Sequence, residues 1–409
     1  MNLGISDRVK PLVEQVRDMV RDEIAPLDEE FHAEIGKAGD RFRLTERQIA
    51  ILDGLKAKAR GCGLWNFWLT NTDRGPGLTN VEYAYLAEEM GKIRIAAEVF
   101  NCSAPDTGNM EVFHHFGTEE HKERWLRPLL AGEIRSAFLM TEPGVASSDA
   151  TNISLEARRD GDGWVLNGEK WWASGAGDPR CKVYIVMART DPAGDRHHQH
   201  SQFVVPAGTP GVEILRPMTV FGHDDAPHGH MHVRLTNVRV PEKDLLLGEG
   251  RGFEVSQARL GPGRIHHCMR AIGHAERALE IMCRRALGRT AFGQPIAKLG
   301  ANYDIIADAR MAIEQARLLC LKAAWVMDTE GVRAAQPWIS MIKVEAPRIA
   351  LKVVDEAIQM HGATGISQDT PLADMWAHLR TLRIVDGPDA VHRRQVARRE
   401  LRQYGNQPV

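Results

Sequence analysis

The sequence predicts an α+β fold, mainly α, in which a small β domain separates two helical regions. Three observations predict it. The first third carries helical periodicity, the middle holds short β-type runs between turn residues, and long helical stripes return to the end. The expected domains are 1–135 (N-terminal, helical), 136–247 (β) and 248–409 (a C-terminal bundle). A chain of 409 residues suits two or three domains at roughly 150 residues each.

Each element has its own signal. Val9, Leu12, Val13, Val16, Met19 and Val20 recur at three- and four-residue spacing on one helical face. Thr45, followed by Gln48, forms a capping-box pattern that opens a helix. Residues 71–77, Asn71 to Gly77, read as a loop from their Asp, Gly and Pro content. A further helix runs from about Asn80, with Gly91 as its expected C-cap. The β-type runs are Trp164–Leu166, Lys182–Met187, Gln202–Val205 and Val212–Leu215. Turn residues separate them, among them Asp160–Gly163 and the hairpin signal Asn167-Gly168, so an antiparallel domain is expected. Later, Ile305, Ala309, Ala312, Ile313, Ala316, Leu319 and Cys320 make a helix-bundle seam.

Composition bounds the function. Hydrophobic residues make up 43% and charged residues 26%, ordinary for a globular protein. A net charge of -2 gives no clustered positive excess for nucleic acid or an anionic membrane. No run approaches the ~20 apolar residues of a membrane span, and the N-terminus lacks a signal-peptide pattern. The six cysteines are scattered without a Cys-x-x-Cys pair, as in a reduced compartment. A cytoplasmic location is the expectation.

Five segments carry candidate chemistry. Ser136–Asp149 reads SAFLMTEPGVASSD, a β-like run ending in a turn. Its backbone N–H groups and hydroxyls could meet an anionic or polar ring, or form only a serine-rich turn. Next comes LNGEKWWASG, whose Trp pair reads equally as core or as cofactor-facing. Arg289-Thr290-Ala291-Phe292-Gly293 offers a planar guanidinium suited to phosphate. Gln359–Gly365 is glycine-rich, so its backbone can approach a ligand closely. Finally, Arg383-Ile384-Val385-Asp386-Gly387-Pro388 places one carboxylate before a glycine. On its own, Asp386 reads as a helix N-cap or as a base.

In this order and spacing the five segments resemble the acyl-CoA dehydrogenase family, over the whole chain. The resemblance implies FAD as cofactor. Met140 and Thr141 would meet the flavin ring, Trp172 would cover it, and the Ala173-Ser174 strand would place the Ser174 hydroxyl on the hydride-accepting nitrogen. Arg289 and Phe292 would reach the diphosphate and adenine of a neighbouring subunit's FAD. Gln359, Gly362 and Gly365 would pack on the same foreign cofactor, and Pro388 would stand near FAD. Ser148 would lie near the pantetheine arm of the substrate, with Arg264 and Gly387 also at the substrate. The chain departs from the family pattern at Gly300, Ala363 and Pro388-Asp389-Ala390, and carries one extra residue in the Thr141 turn.

The family's catalytic carboxylate falls at Asp386, where most members have Glu. The other position used in the family, one residue before an Arg, is Gly263 here, ahead of Arg264. The resemblance is nearest to a branch with Asp as base, found in bacteria and fused to a kinase-like domain in animals. It implies α,β-dehydrogenation of an acyl-CoA to a trans-2-enoyl-CoA, in fatty-acid or hydroxy-acid breakdown. Electrons would pass to an electron-transferring flavoprotein, and the cross-subunit contacts imply a homodimer or homotetramer. Alternatives stay open: a 4-phosphorylated acyl-CoA as substrate, a nitroalkane-oxidase-like activity, or a catalytically silent flavin-binding assembly protein. His197, His198 and His200, and His223, His228, His230 and His232, can be read as metal ligands. Without cysteines or a tight carboxylate set they read as exposed loop and strand histidines, so no metal is expected. His266 and His267, beside Arg264, are candidates to border the substrate.

Overall fold

The computed structural model describes residues 1–70 and 75–405. Of the loop expected over 71–77, residues 71–74 lie outside the described residues. The chain divides into two compact units, and both draw on the N-terminal helices.

One unit comprises Met1–Asp28, Thr70–Ala97 and Gly261–Val409. Its helices include Lys10–Met19, Asn80–Met90, the greater part of Gly252–Gly288, Asn302–Glu330, Val332–His361, Leu372–Leu382 and Asp389–Leu401. The predicted seam is buried at Ala309, Ile313, Ala316 and Cys320, the residues that share the apolar face of their helix. Gly91 does close the helix Asn80–Met90, but at φ -68°, so it is no left-handed cap. Its glycine serves packing. A Cβ there would lie 2.2 Å from the Arg270 carbonyl oxygen, and one at Gly273 would lie 2.0 Å from that of Glu88. Two backbones therefore touch where only hydrogen fits. Gly273→Ala is expected to lower stability by about 3 kcal/mol, since overpacking against backbone cannot relax by a rotamer change. The midpoint of chemical denaturation measures it.

The other unit comprises Glu29–Leu69 and Glu98–Leu260. Thr45 and Gln48 form the predicted reciprocal capping box at the helix Glu46–Gly61. The sheet holds β1 (Arg135–Leu139), β2 (Glu156–Asp160), β3 (Gly163–Ser174), β4 (Cys181–Arg189), β5 (His200–Pro206), β6 (Val212–Pro217), β7 (His230–Pro241) and β8 (Leu245–Leu246). Its order is β6-β7-β3-β2-β4-β5-β8, with β1 beside β4. Most pairs are antiparallel, as expected, but β1 and β4 pair in parallel, so the sheet is mixed. The β2–β3 hairpin intervenes in the chain and supplies the crossover that a parallel pair needs.

Asn167-Gly168 corrects one expectation, because it makes no hairpin turn. It lies inside β3, where the pairing with β7 shifts register between Leu166 and Gly168. Asn167 Oδ1 accepts from the Asn237 N–H at 2.7 Å, so the pair builds a β-bulge. The hairpin turns at Asp160–Gly163, where Gly161 takes φ 64°.

A buried ionic cluster anchors β1. Arg135 pairs with Asp106 and with Glu98, and Arg180 and Lys56 reach Glu98 at 2.6 and 2.9 Å. Burial pushes the Glu98 carboxyl up, but Arg135, Arg180 and Lys56 hold it well below the usual range. Glu111, in the helix Asp106–Phe116, is the opposite case. Burial raises it to about 8, with Arg259 opposing. Its folded pKa lies above the unfolded value, so its contribution is intact below about pH 4.5 and is lost as pH rises through 8. Glu111 is only half-buried, which trims the effect. Glu111→Gln is expected to stabilise the fold by about 2 kcal/mol at pH 7 and by nothing at pH 4. Thermal melts at the two pH values check it.

Among the described residues no helix is long and apolar enough to cross a membrane.

Candidate active-site residues

The Thr141 turn and β3 are joined by a buried ion pair. Lys170, fully buried, donates from Nζ to the Met140 carbonyl and to Glu142 Oε1, both at 2.8 Å. Glu142 also accepts from Ser154 N and Oγ at 2.8 and 2.6 Å and from Leu155 N at 2.8 Å. The Trp171 N–H donates to the Thr141 carbonyl at 2.9 Å. Met140-Thr141 and Trp172-Ala173-Ser174 are thus held on one edge. Neither Glu142 nor Lys170 was singled out from the sequence. Their signal was a Glu in a turn and a Lys on an otherwise apolar strand.

That edge suits a flat ring. Trp172 is 38% exposed and takes φ 54°, an uncommon, strained conformation for a bulky residue. It sits where β3 shifts register between Lys170 and Ala173. Thr141 is exposed, Met140 and Ser174 are half-buried, and Ala173 is buried. Trp171 Nε1 is buried without a partner among the described residues. An open indole, a hydroxyl and a turn of polar backbone fit the isoalloxazine ring of FAD. In the turn itself, the Ser147 hydroxyl accepts from the Glu142 N–H at 2.9 Å, while Ser148 is exposed. Asp149 caps Thr151 and pairs with Arg196 at 2.6 Å.

The strand histidines are not exposed, contrary to expectation. The Ser174 hydroxyl and His230 Nδ1 are 2.8 Å apart. His232 Nε2 and Glu169 lie at 2.9 Å. Their alternation on β7, read from the sequence, does put them on one face, and the neighbouring strand β3 supplies their partners, Ser174 for His230 and Glu169 for His232.

Asp386 stands in the loop between the helices Leu372–Leu382 and Asp389–Leu401. It is no N-cap, since that position belongs to Pro388, which makes no side-chain cap bond. Asp386 has φ 54° and Gly387 φ 97°, two successive left-handed residues that turn the carboxylate out of the helical path. A Cβ on Gly387 would lie 2.9 Å from His392 Nε2, so the glycine is required twice over. The loop is clamped. Arg383 pairs with Asp389 at 2.7 Å. The Asp386 carbonyl accepts from Arg264 Nε at 3.0 Å and faces His392 Nε2 at 3.2 Å. Buried Lys343 donates to the Leu382 carbonyl.

The Asp386 carboxylate is 3.5 Å from His267 Nε2 and 24% exposed. Burial lowers the pKa of Arg264 and of Lys343, with Asp386 opposing in both cases. Burial and then Arg264 push His392 down to about 4. It is therefore neutral near pH 7 and serves as an N–H donor to the carbonyl. His266 is buried, its ring 4.5 Å from that of Tyr83, and burial holds it well below the usual range. Of the two candidate histidines, His267 is the one beside the carboxylate. Lys343 and His392 escaped sequence reading, each lying within an ordinary helical pattern.

Arg289 and Phe292 lie on a small hairpin, Thr290–Ala291 against Gln294–Pro295. Phe292 is 94% exposed at φ 48°, and Arg289 is exposed beside it. Gln359 and Gly362 are also exposed. Gly362 takes φ 65°, and a Cβ on Gly365 would meet the Ile358 carbonyl oxygen at 2.6 Å.

Comparison with known proteins defines the class. Three family models match, described as the acyl-CoA dehydrogenase N-terminal domain over residues 6–133, middle domain over 137–238 and C-terminal domain over 250–401. The probable acyl-CoA dehydrogenase FadE2 of Mycobacterium tuberculosis is 56% identical over 352 residues, covering 86% of each chain. Acyl-CoA dehydrogenase family member 11 of Mus musculus is 50% identical over 401 residues, which is 97% of this chain and 51% of that protein. The chain thus spans about half the length of the first curated relatives it matches. A solved structure of an inferred acyl-CoA dehydrogenase from Mycobacterium abscessus is 51% identical, with TM-score 0.93, over 98% of this chain and 100% of that one. Proteins of this class are flavin-dependent oxidoreductases. The chain belongs to the acyl-CoA dehydrogenase family, whose members depend on FAD.

Proposed function

We propose that the chain removes the α-proton and β-hydride of an acyl-CoA thioester to give a trans-2-enoyl-CoA, with Asp386 as the base. The observation that carries this is the Asp386 loop. A carboxylate stands on left-handed backbone, its carbonyl is clamped by Arg264 and His392, and the family's other base position holds Gly263.

The α-proton of a thioester is far less acidic than a carboxylic acid, so charge on the substrate must be stabilised as it forms. Asp386 takes the proton at a carboxylate oxygen. The backbone at Asp386 and Gly387 orients the thioester, Ser148 meets the pantetheine arm, and Arg264 keeps the loop in place. FAD, when bound, supplies the two-electron acceptor for the hydride. Met140, Thr141, Trp172, Ala173 and Ser174 hold its ring. Arg289, Phe292, Gln359, Gly362, Gly365 and Pro388 serve the FAD of a second copy, which makes the protein a homodimer or homotetramer. Nearly complete exposure of Phe292 supports that arrangement, because a phenyl ring on a tight hairpin gains most from a partner. An electron-transferring flavoprotein reoxidises the enzyme, in fatty-acid or hydroxy-acid catabolism.

A second reading concerns the substrate. Arg264 and Lys343 place two cationic groups near Asp386, the His267 imidazole lies 3.5 Å from its carboxylate, and Lys343 has donors beyond the one the Leu382 carbonyl uses. That surplus favours an acyl chain bearing an anion, such as a 4-phosphorylated acyl-CoA.

Anaerobic titration of the FAD-loaded protein with acyl-CoAs, including 4-hydroxy and 4-phospho chains, tests both readings. Bleaching of the flavin absorbance by an acyl-CoA is expected. Oxygen-dependent peroxide from a nitroalkane with acyl-CoAs inert would select the oxidase reading, and no bleaching with either would select the silent one.

A further inference from the structure

We propose that His230, held by Asp225, is a positioning residue that decides whether the Ser174 hydroxyl donates or accepts a hydrogen bond toward the flavin. This rests on the reading above, in which Ser174 meets the hydride-accepting nitrogen. The three residues lie in one unit. Ser174 closes β3 and His230 opens β7, and they are cross-strand partners. Ser174 Oγ is 2.8 Å from His230 Nδ1, and His230 Nε2 is 3.4 Å from Asp225 Oδ2. The His230 and Asp225 side chains are only 18% and 19% exposed.

The histidine is fixed from both sides. Its carbonyl accepts from the Met218 N–H at 2.7 Å, the Gly175 N–H donates to the Gly229 carbonyl at 3.0 Å, and the Gly229 N–H donates to the Asp225 carbonyl at 2.8 Å. The Trp172 ring lies 5.8 Å away and the His228 ring 6.0 Å away, perpendicular to it. Among the described residues, the titratable and charged groups around it include Asp225 and His228 on the loop and His232 two residues on. His232 is tied to Glu169 on β3 and paired in register with Arg216 on β6.

A serine hydroxyl has one hydrogen and two lone pairs. Neutral His230, with its proton on Nε2 facing Asp225, accepts that hydrogen at Nδ1. The hydroxyl oxygen then presents a lone pair outward. Protonated His230 donates from Nδ1 instead, and the hydroxyl turns its hydrogen outward. The nitrogen that takes the hydride accepts a hydrogen bond before reduction and donates one after it. Neutral His230 therefore favours the reduced cofactor and protonated His230 the oxidised one. By linkage His230 is less basic in the reduced enzyme, and a tenfold difference in its proton affinity is worth about 30 mV for two electrons.

The test measures the midpoint potential of the FAD-loaded protein against pH, with dithionite as reductant, in the wild type, His230→Asn and Asp225→Asn. Asn places an acceptor oxygen near Nδ1 but cannot titrate. The expected result is a shallower slope in the wild type than in His230→Asn over the titration interval, accumulating to about 30 mV. Asp225→Asn moves that interval to lower pH, and it decides the matter alone should His230→Asn fail to fold. In flavin-free protein, nitrogen NMR of the imidazole is expected to show the His230 titration moved by Ser174→Ala. Parallel slopes, or an imidazole titration unmoved by Ser174→Ala, overturn the proposal. Dithionite needs no substrate, so failure of acyl-CoAs to bleach the flavin sinks the dehydrogenase reading without altering this measurement.

Discussion

Asp386→Asn is expected to fold, keep FAD and lose at least about a thousandfold in the rate of flavin bleaching by acyl-CoA, within the range for losing a general base. Asn fits the site almost isosterically and tolerates the left-handed backbone at φ 54°. The Arg264 and His392 bonds run to the backbone carbonyl, so they survive. What disappears is an oxygen able to take a proton. Asp386→Glu is a separate test of reach. It adds one carbon–carbon bond, ~1.5 Å, on a loop clamped at Arg383–Asp389 and at the Asp386 carbonyl, so the loop cannot retreat to make room. A displacement of that size costs about a hundredfold. The expected order of rates is wild type, then Glu, then Asn. Anaerobic stopped-flow measurement of bleaching gives all three, and a wild-type rate in Asp386→Asn would remove Asp386 from the chemistry. His392, pushed down to about 4, stays neutral above pH 5, so it adds no inflection to the rate profile between pH 5 and 8.

The fold was legible because its signals are local. Periodicity at Val9–Val20, the capping box at Thr45 and the β-type runs each depend on residues close in sequence, and each became the element it predicted. Asn167-Gly168 misled because the same dipeptide serves a turn or a bulge. The choice was made by Asn237 on β7, seventy residues away. Gly91 was read as a cap from its place after a helix, whereas its cause is Arg270 on a distant helix. The candidate site divides the same way. Asp386, Ser174 and Trp172 stand in recognisable segments. Lys343, His392, Asp225 and Lys170 do not, since each acts on a backbone or side chain that only folding brings near. The strand histidines show the limit most clearly. Their shared face was readable, but their pairing with Ser174 and Glu169 was not.

Lys170→Met is expected to cost about 3–5 kcal/mol and to release FAD, because it strands the Glu142 carboxylate in the core. Glu142 is 4% and Lys170 0% exposed at the side chain, so no water can replace the lost partner. The charges are strongly opposed by burial. Lys170 is pushed down to about 8 by burial, against the pull of Glu142. Burial also pushes Glu142 up, yet Lys170, Ser154 and the Leu155 N–H bring it below its usual range. A carboxylate whose folded pKa is depressed contributes stability above its unfolded value, near pH 4.5, and that contribution is lost as pH falls further. The wild type should therefore lose stability below pH 4.5 through this pair, and a Lys170→Met/Glu142→Gln double variant should not. Removing both charges should also recover much of the stability lost in the single variant, since a buried pair is worth less than the cost of breaking it. FAD affinity is expected to recover less. In the double variant the Met140 carbonyl still lacks the Lys170 ammonium that fixes it at 2.8 Å, and the Met140-Thr141 turn is one of the two segments proposed to hold the flavin ring. Thermal melts with and without added FAD separate the two effects. Equal recovery of stability and FAD affinity would mean that Lys170 serves the core alone and not the cofactor edge.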